Sequence, residues 1–384
     1  MNNKLKVMAD KIENGKIIKS CQFILNGKEA MYYFAFDEKY KEEVGNSKVD
    51  PWLILLIHKM LAAGGDWFLD GKVSKSLLDN VERYCTFWYA FKPEYKTVHL
   101  IAKEEIDDPP KILPDKAIMT FSGGVDACFT LYRHRMHLVG RNNRNIEQAI
   151  FIKGADIDSK EDFALAAKKA EKQCSDLGVN LILTETNFRK LPHNWELEHL
   201  NVIVSVLNFF ENYPYKVISS SMDYAPEHYL QEMPYSTNIV TDRYLSSNMA
   251  PLFVDDEAVT RTQKTALIKN WRVGLENLRV CWQGEDKSSN CGQCEKCMRT
   301  MFNFLAAGAG KVCAFNDYSY QNMDKNIRNI YVHNLYDWQE IFAYAEKHST
   351  LTQKQMDMLK FVVDGGCAKK KHHSFWWHLR RMKF

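Results

Sequence analysis

The sequence predicts an α/β fold: an open parallel sheet with helices on both faces, preceded by a small α+β N-terminal module. Three observations predict it. From residue 116 on, short apolar runs alternate with amphipathic stretches, the pattern of βα units feeding a parallel sheet. The first run, 117–121, turns through Ser122-Gly123-Gly124-Val125-Asp126 into helical spacing at 127–139 (Cys128, Leu131, Tyr132, Arg135, Leu138). Four cysteines then crowd residues 281–297, inside a region that otherwise reads as helical.

In chain order, 17–25 and 30–36 alternate loosely around Asn26-Gly27, a hairpin turn signal. Residues 52–63 read as a compact helix stopped by Gly64-Gly65, and 74–91 as a second helix capped by Ser74. Residues 97–102 return as a strand. The acidic, then proline-containing stretch 104–114 reads as a linker. Residues 1–113 carry no chemical motif and are expected to be a separate module for scaffolding or for docking a partner protein.

The segment 114–310 is expected to be the functional domain, with strands at 149–153, 180–184 and 215–219 and helices at 161–177 and 197–212. Ligands in such sheets bind beyond the carboxyl ends of the strands. The Ser122 turn lies at one end, and Lys153-Gly-Ala-Asp156, Glu185-Thr-Asn187 and Ser219-Ser-Ser-Met-Asp223 lie at others. Lys153, Asp156, Ser221 and Asp223 are therefore candidate substrate contacts. The irregular stretch 222–255 has the length and composition of a lid or substrate wall.

A strand, a Ser-Gly-Gly turn and a helix start make an anion cradle. Adjacent glycines let backbone approach the ligand, and the N–H groups of the helix start face it. Ser122 adds a hydroxyl, and Asp126 in the first turn is expected to assist Mg²⁺. The stretch lacks the terminal Lys-Ser/Thr of the P-loop and the third glycine of the dinucleotide fingerprint. Arg261 and Lys264 open a helix against its dipole, which is expected where cations serve an anion.

Cys281, Cys291, Cys294 and Cys297 combine C-x₂-C-x₂-C spacing with a fourth cysteine ten positions earlier. Four thiolates in a short loop suit a closed tetrahedral Zn²⁺ site, with an iron–sulfur cluster as the rival. Gly292 is expected to make the tight turn between ligands. Arg299, a further candidate substrate contact, follows on an apolar helix, 298–307, closed by Gly308.

Residues 311–384 read as a helical extension, with helices at 338–348 and 351–363. The last stretch, 369–384, interleaves lysine, arginine and histidine with Phe375, Trp376 and Trp377. It suits docking on the protein's own surface, a partner protein, nucleic acid or an anionic lipid surface. Net charge is only +3, so no global field argues for nucleic acid. No apolar run approaches a transmembrane span and the N-terminus does not continue into a signal-peptide core, so a cytoplasmic protein is expected. A homo-oligomer is compatible with the sequence.

Ser122 to Asp126 resembles the SGGxD signature of the PP-loop ATP pyrophosphatases, which split ATP into AMP and pyrophosphate. Together with Cys281, Cys291, Gly292, Cys294, Cys297 and Arg299, and with the basic segment of Arg261 and Lys264, it resembles the 7-cyano-7-deazaguanine synthase branch over residues 115–308. The resemblance implies the adenine nucleotide alpha hydrolase-like fold, with ATP, Mg²⁺ and Zn²⁺ as cofactors. Ser122, Gly123, Gly124, Val125 and Asp126 would cradle the nucleotide, and Arg261 and Lys264 would stabilise charge. The implied activity is adenylation of a small-molecule carboxylate, such as 7-carboxy-7-deazaguanine, followed by amide or nitrile formation with ammonia or with a small or protein amine. Lys153-Gly-Ala-Asp156 departs from that branch's Tyr-Gly-Gln, which points to a divergent relative of the kind found in bacterial defence and glycan clusters. Sulfur transfer to tRNA and a catalytically silent adaptor are the competing readings.

Overall fold

The computed structural model describes residues 3–45, 47–221, 235–332 and 334–367. Asp223 and the basic aromatic stretch 369–384 lie outside these residues.

Among the described residues eleven strands join in one sheet. The N-terminal part supplies β1 (Lys4–Val7), β2 (Lys11–Glu13), β3 (Lys16–Leu25), β4 (Lys28–Asp37), β5 (Gly65–Ser74) and β6 (Val98–Ile106). The middle supplies β7 (Ala117–Thr120), β8 (Ile146–Lys153), β9 (Asn180–Thr186), β10 (Tyr215–Ser219) and β11 (Leu252–Asp255). Their order is β11-β10-β7-β8-β9-β4-β3-β1-β5-β6, with β2 paired to β3. The sheet is mixed and largely parallel, so the α/β class holds.

The strands β7 to β11 all run parallel. Within this block the order is third, second, first, fourth, fifth. Strand order therefore reverses between β7 and β10, a topological switch point. Asn26-Gly27 does join β3 to β4, both residues having positive φ.

The helices are α1 (Asp50–Ala63), α2 (Lys75–Phe91), α3 (Val125–Arg135), α4 (Lys160–Asp176), α5 (Trp195–Leu207), α6 (Arg261–Ile268) and α7 (Arg272–Glu276). They continue with α8 (Glu295–Ala306), α9 (Asp317–Gln321), α10 (Met323–Ile327), α11 (Leu335–His348) and α12 (Gln353–Val363). None among the described residues is long and apolar enough to cross a membrane.

The chain divides into two compact units, and the division differs from the boundaries expected at 113 and 310. One unit comprises the residues up to Thr120, His134–Asp156 and Val179–Glu257. It holds the whole sheet with α1, α2 and α5. The N-terminal strands are built into it, because β4 pairs antiparallel with β9, Ala35 opposite Glu185. Thr184 seals the join by donating its hydroxyl to the Ala35 carbonyl at 2.9 Å. Almost all of α1 is buried. Asn201 of α5 donates to the Ile54 carbonyl at 2.8 Å. Trp52 meets Phe209 edge-on at 5.2 Å, and Phe36 meets Phe210 at 5.5 Å.

The second unit comprises Phe121–Arg133, Ile157–Gly178 and the chain from Ala258 on. It is helical. Its core is the apolar face of α8, where Met298, Met301, Phe302 and Phe304 are fully buried, with Trp338 of α11 against Phe302 at 5.9 Å.

Three local expectations are corrected. Ser74 stands at the N-cap of α2 but makes no cap hydrogen bond; its hydroxyl donates to buried Asp50 at 2.5 Å, a stronger acceptor. The α3 helix ends at Arg135 rather than 139, because the chain turns left-handed at His137 (φ 55°). Residues 252–255, read as irregular, form β11.

Candidate functional site

β7 ends at Thr120, and the chain continues through Phe121 to Gly124 into α3. Gly123 has φ 73°, and a Cβ there would lie 3.0 Å from Gln173 Oε1. Gln173 cannot move aside. It is fully buried on α4, and its amide nitrogen donates to the Gly274 carbonyl at 2.9 Å and to Cys128 Sγ at 3.3 Å. A Gly123→Ala change is therefore expected to cost about 1–2 kcal/mol from backbone conformation alone, with added loss from the collision. Chemical denaturation of the variant checks this; a shift under half a kilocalorie would contradict it.

The Cys128 N–H donates to the Gly124 carbonyl at 2.9 Å, the first intrahelical bond. The N–H groups of Val125, Asp126 and Ala127 precede it and so lack an intrahelical acceptor. The Ser122 hydroxyl accepts weakly from the Gly124 N–H at 3.4 Å.

Asp126 gathers both predicted cations. Arg261 Nη2 donates to one carboxylate oxygen at 2.9 Å and Lys264 Nζ to the other at 3.3 Å. Lys264 is 3% exposed and stands over the Phe129 ring at 5.8 Å. Burial alone would raise the Asp126 pKa. Arg261 and Lys264, with Lys296 behind them, outweigh burial and hold the carboxyl well below the usual carboxylate range. Two positive charges on one carboxylate leave the turn positive, which suits an anion. The same arrangement does not fit a divalent cation held by Asp126, since both oxygens already face cations. In this structure the Asp126 carboxylate holds Arg261 and Lys264.

The local sequence explains why those cations point where they do. Thr260 and Gln263 form a reciprocal capping box at the start of α6. Thr262 donates its hydroxyl to Asn303 of α8 at 2.7 Å, and Thr260 donates to Glu340 of α11 at 2.7 Å. The face of α6 that carries Arg261 and Lys264 is thus fixed by two neighbouring helices.

Arg299 is almost buried on α8. It pairs with Glu295 at 3.1 Å and with Asp337. Burial is the main cause that lowers its pKa, to about 10. Trp338 donates to the same Glu295 at 3.0 Å. These contacts tie α8 to α11 through Arg299.

The four cysteine sulfurs lie within 4.8 Å of one another. Cys281 Sγ is 3.8 Å from Cys294 Sγ, and Cys291 Sγ is 3.8 Å from Cys297 Sγ. Ligands about 2.3 Å from one zinc ion stand about 3.8 Å apart at the corners of a tetrahedron. The tetrad therefore fits a single tetrahedral ion such as zinc. Crowding by the thiols of Cys291, Cys294 and Cys297 holds the Cys281 pKa well below the usual thiol value. The same crowding raises Cys297 far above it, Cys281 being the chief cause. A cation at the centre removes that conflict. Cys294 stands at the N-cap position of α8 and Cys297 lies in its first turn, where the helix dipole favours thiolates. Gly292 has φ 68°, and any side chain there would collide with Ser319.

One residue was not legible in the sequence. Arg279, 6% exposed, donates its backbone N–H to the Gly123 carbonyl at 2.9 Å and Nη2 to the Ser122 carbonyl at 3.3 Å. An arginine two positions before a cysteine carries no motif.

The second unit thus brings together Ser122 to Asp126, Arg261, Lys264, Arg299 and the tetrad. Lys153, Asp156 and Ser221 belong to the sheet unit. Lys153 faces Glu185 at 3.9 Å, and Ser221 is exposed. Comparison with protein-family models, curated proteins and solved structures returned no match.

Proposed function

We propose that the protein is an ATP-dependent ligase that joins a carboxylate to an amine, splitting ATP into AMP and pyrophosphate. The observation that carries this reading is the glycine turn into α3 with Arg261 and Lys264 drawn onto its Asp126. Glycines followed at once by the N–H groups of a helix start make an anion cradle of the kind that takes a nucleotide's phosphates. The resemblance of Ser122 to Asp126 to the PP-loop signature gives the bond that is cut.

A carboxylate is a poor acyl donor because its leaving group would be oxide. Attack of its oxygen on the α-phosphorus of ATP forms an acyl-adenylate and expels pyrophosphate. An amine then attacks the acyl carbon, AMP departs with the electron pair, and the amine proton passes to solvent. The unpaired N–H groups at the start of α3 would hold the pyrophosphate, with Ser122 beside them. Lys264 and Arg261 would stabilise the charge that grows on the leaving group. Magnesium would enter as part of Mg·ATP. The substrate class that fits the resemblance is a deazapurine carboxylate such as 7-carboxy-7-deazaguanine.

The cysteines support a ligase over a sulfur-transfer enzyme. The tetrad geometry suits one zinc ion, whereas a cluster spreads its thiolates over several irons. Cys21, Cys128 and Cys174 are buried and their thiols are pushed up by desolvation, as is Cys85, to about 12. None of these is poised as a nucleophile.

Lys264→Ala is expected to lower pyrophosphate release about 10²–10³-fold, while Asp126 keeps Arg261 and the fold persists. Coupled-enzyme detection of pyrophosphate checks this. Unchanged release would remove Lys264 from the reaction.

A further inference from the structure

We propose that Arg279 couples the cysteine metal centre to the Ser122–Gly124 turn, so that metal loading sets how tightly the turn binds a nucleotide. This rests on the ATP reading above and adds a positioning residue and a regulatory input to the same site.

The turn is held from its carbonyl side. The Arg279 N–H takes the Gly123 carbonyl and its guanidinium takes the Ser122 carbonyl, at 2.9 and 3.3 Å. A trans peptide is planar, with N–H opposite C=O. Fixing the carbonyls of Ser122 and Gly123 therefore turns the N–H groups of Gly123 and Gly124 the other way, away from Arg279. Without that hold, Gly123 and Gly124 are the residues best able to let these planes rotate.

The position of Arg279 is set in turn by the cysteine loop. Its Nη1 donates to the Lys287 carbonyl at 3.4 Å, inside the segment between Cys281 and Cys291. Asn290, next to Cys291, accepts from the N–H groups of Val280 and Cys281 at 2.8 and 3.2 Å. Its side-chain nitrogen donates back to the Leu278 carbonyl at 2.8 Å. The residues on either side of Arg279 are thus stapled to the second metal ligand. Lys169 of α4 holds the Ser288 carbonyl at 2.8 Å, which fixes the far side of the loop. When four thiols lack a shared ion, the loop loses the interaction that closes it. The staple around Arg279 then slackens, and with it the aim of the turn.

Coupling between two ligands is reciprocal: if metal tightens nucleotide binding, nucleotide tightens metal binding by the same factor. The test uses the full-length zinc-loaded protein and α,β-methylene-ATP, which a pyrophosphatase cannot split. Zinc affinity is measured by chelator competition with and without the analogue, and analogue affinity by calorimetry. The wild type is expected to hold zinc about tenfold more tightly with the analogue bound. Arg279→Ala is expected to keep its full zinc content, bind the analogue about tenfold more weakly, and show a coupling factor near one. Arg279→Lys keeps the charge but cannot span two carbonyls, and is expected to behave like Arg279→Ala. Zinc affinity indifferent to the analogue, or coupling that survives in either variant, would overturn the proposal while leaving the ATP reading intact. An analogue that does not bind zinc-loaded wild type would overturn both.

Discussion

Cys297→Ser is expected to release the bound metal ion and to unfold the loop 281–297, at a cost on the order of 10 kcal/mol of local folding free energy. The size follows from the arrangement of the tetrad. All four sulfurs meet within 4.8 Å, and Cys297 is fully buried in the first turn of α8. That helix carries the core of the second unit, so damage spreads from the loop into α11 through Phe302 and Trp338. Elemental analysis should show loss of about one metal equivalent per chain, and thermal unfolding should move far downward. Cys21→Ser is the control: Cys21 is equally buried but lies in β3, so it should lower stability while metal content is unchanged. A Cys297→Ser protein with full metal content and an unchanged melting temperature would refute the metal centre.

Asp126→Asn is expected to destabilise the second unit by about 1–3 kcal/mol, the scale of losing charge-assisted hydrogen bonds at a half-buried carboxylate. Asparagine keeps the shape but leaves Arg261 and nearly buried Lys264 facing each other. The sign of the pH effect follows from the depressed pKa. A carboxyl held below its unfolded value contributes stability that is fully present above the ordinary carboxylate range. That stability is lost as pH falls through this range toward the lower folded value. The wild type should therefore weaken steeply below about pH 4, and Asp126→Asn should show a flatter acid limb. Urea denaturation between pH 3 and 7 checks both. Parallel acid limbs would show that Asp126 does not carry the pair.

What could be read from the sequence and what could not divide on range. The Ser122 turn is legible because Gly123 must take a positive φ beside an immovable Gln173, so its residue type is forced. The tetrad is legible because one ion needs four thiols at close spacing. Arg261 and Lys264 are legible because they contradict the dipole of the helix they open, and the structure supplies the reason in Asp126. Arg279 and Glu340 act through carbonyls and hydroxyls remote in sequence, which leave no local pattern. The union of the N-terminal strands with the parallel block depends on β4 meeting β9 across some 150 residues of chain, and the linker composition at 104–114 masked it. β5 was unreadable because Gly64, Gly65 and Asp70-Gly71 look like breaks. Yet Trp67 and Leu69 are wholly buried in it.

The most direct measurement is product analysis of the zinc-loaded protein with Mg·ATP and 7-carboxy-7-deazaguanine, with and without ammonia. The expected result is AMP and pyrophosphate in equal amounts, dependent on the acid and lowered about 10²–10³-fold by Lys264→Ala. ADP and orthophosphate, or the absence of both turnover and nucleotide binding by calorimetry, would contradict pyrophosphatase chemistry at the Ser122 turn.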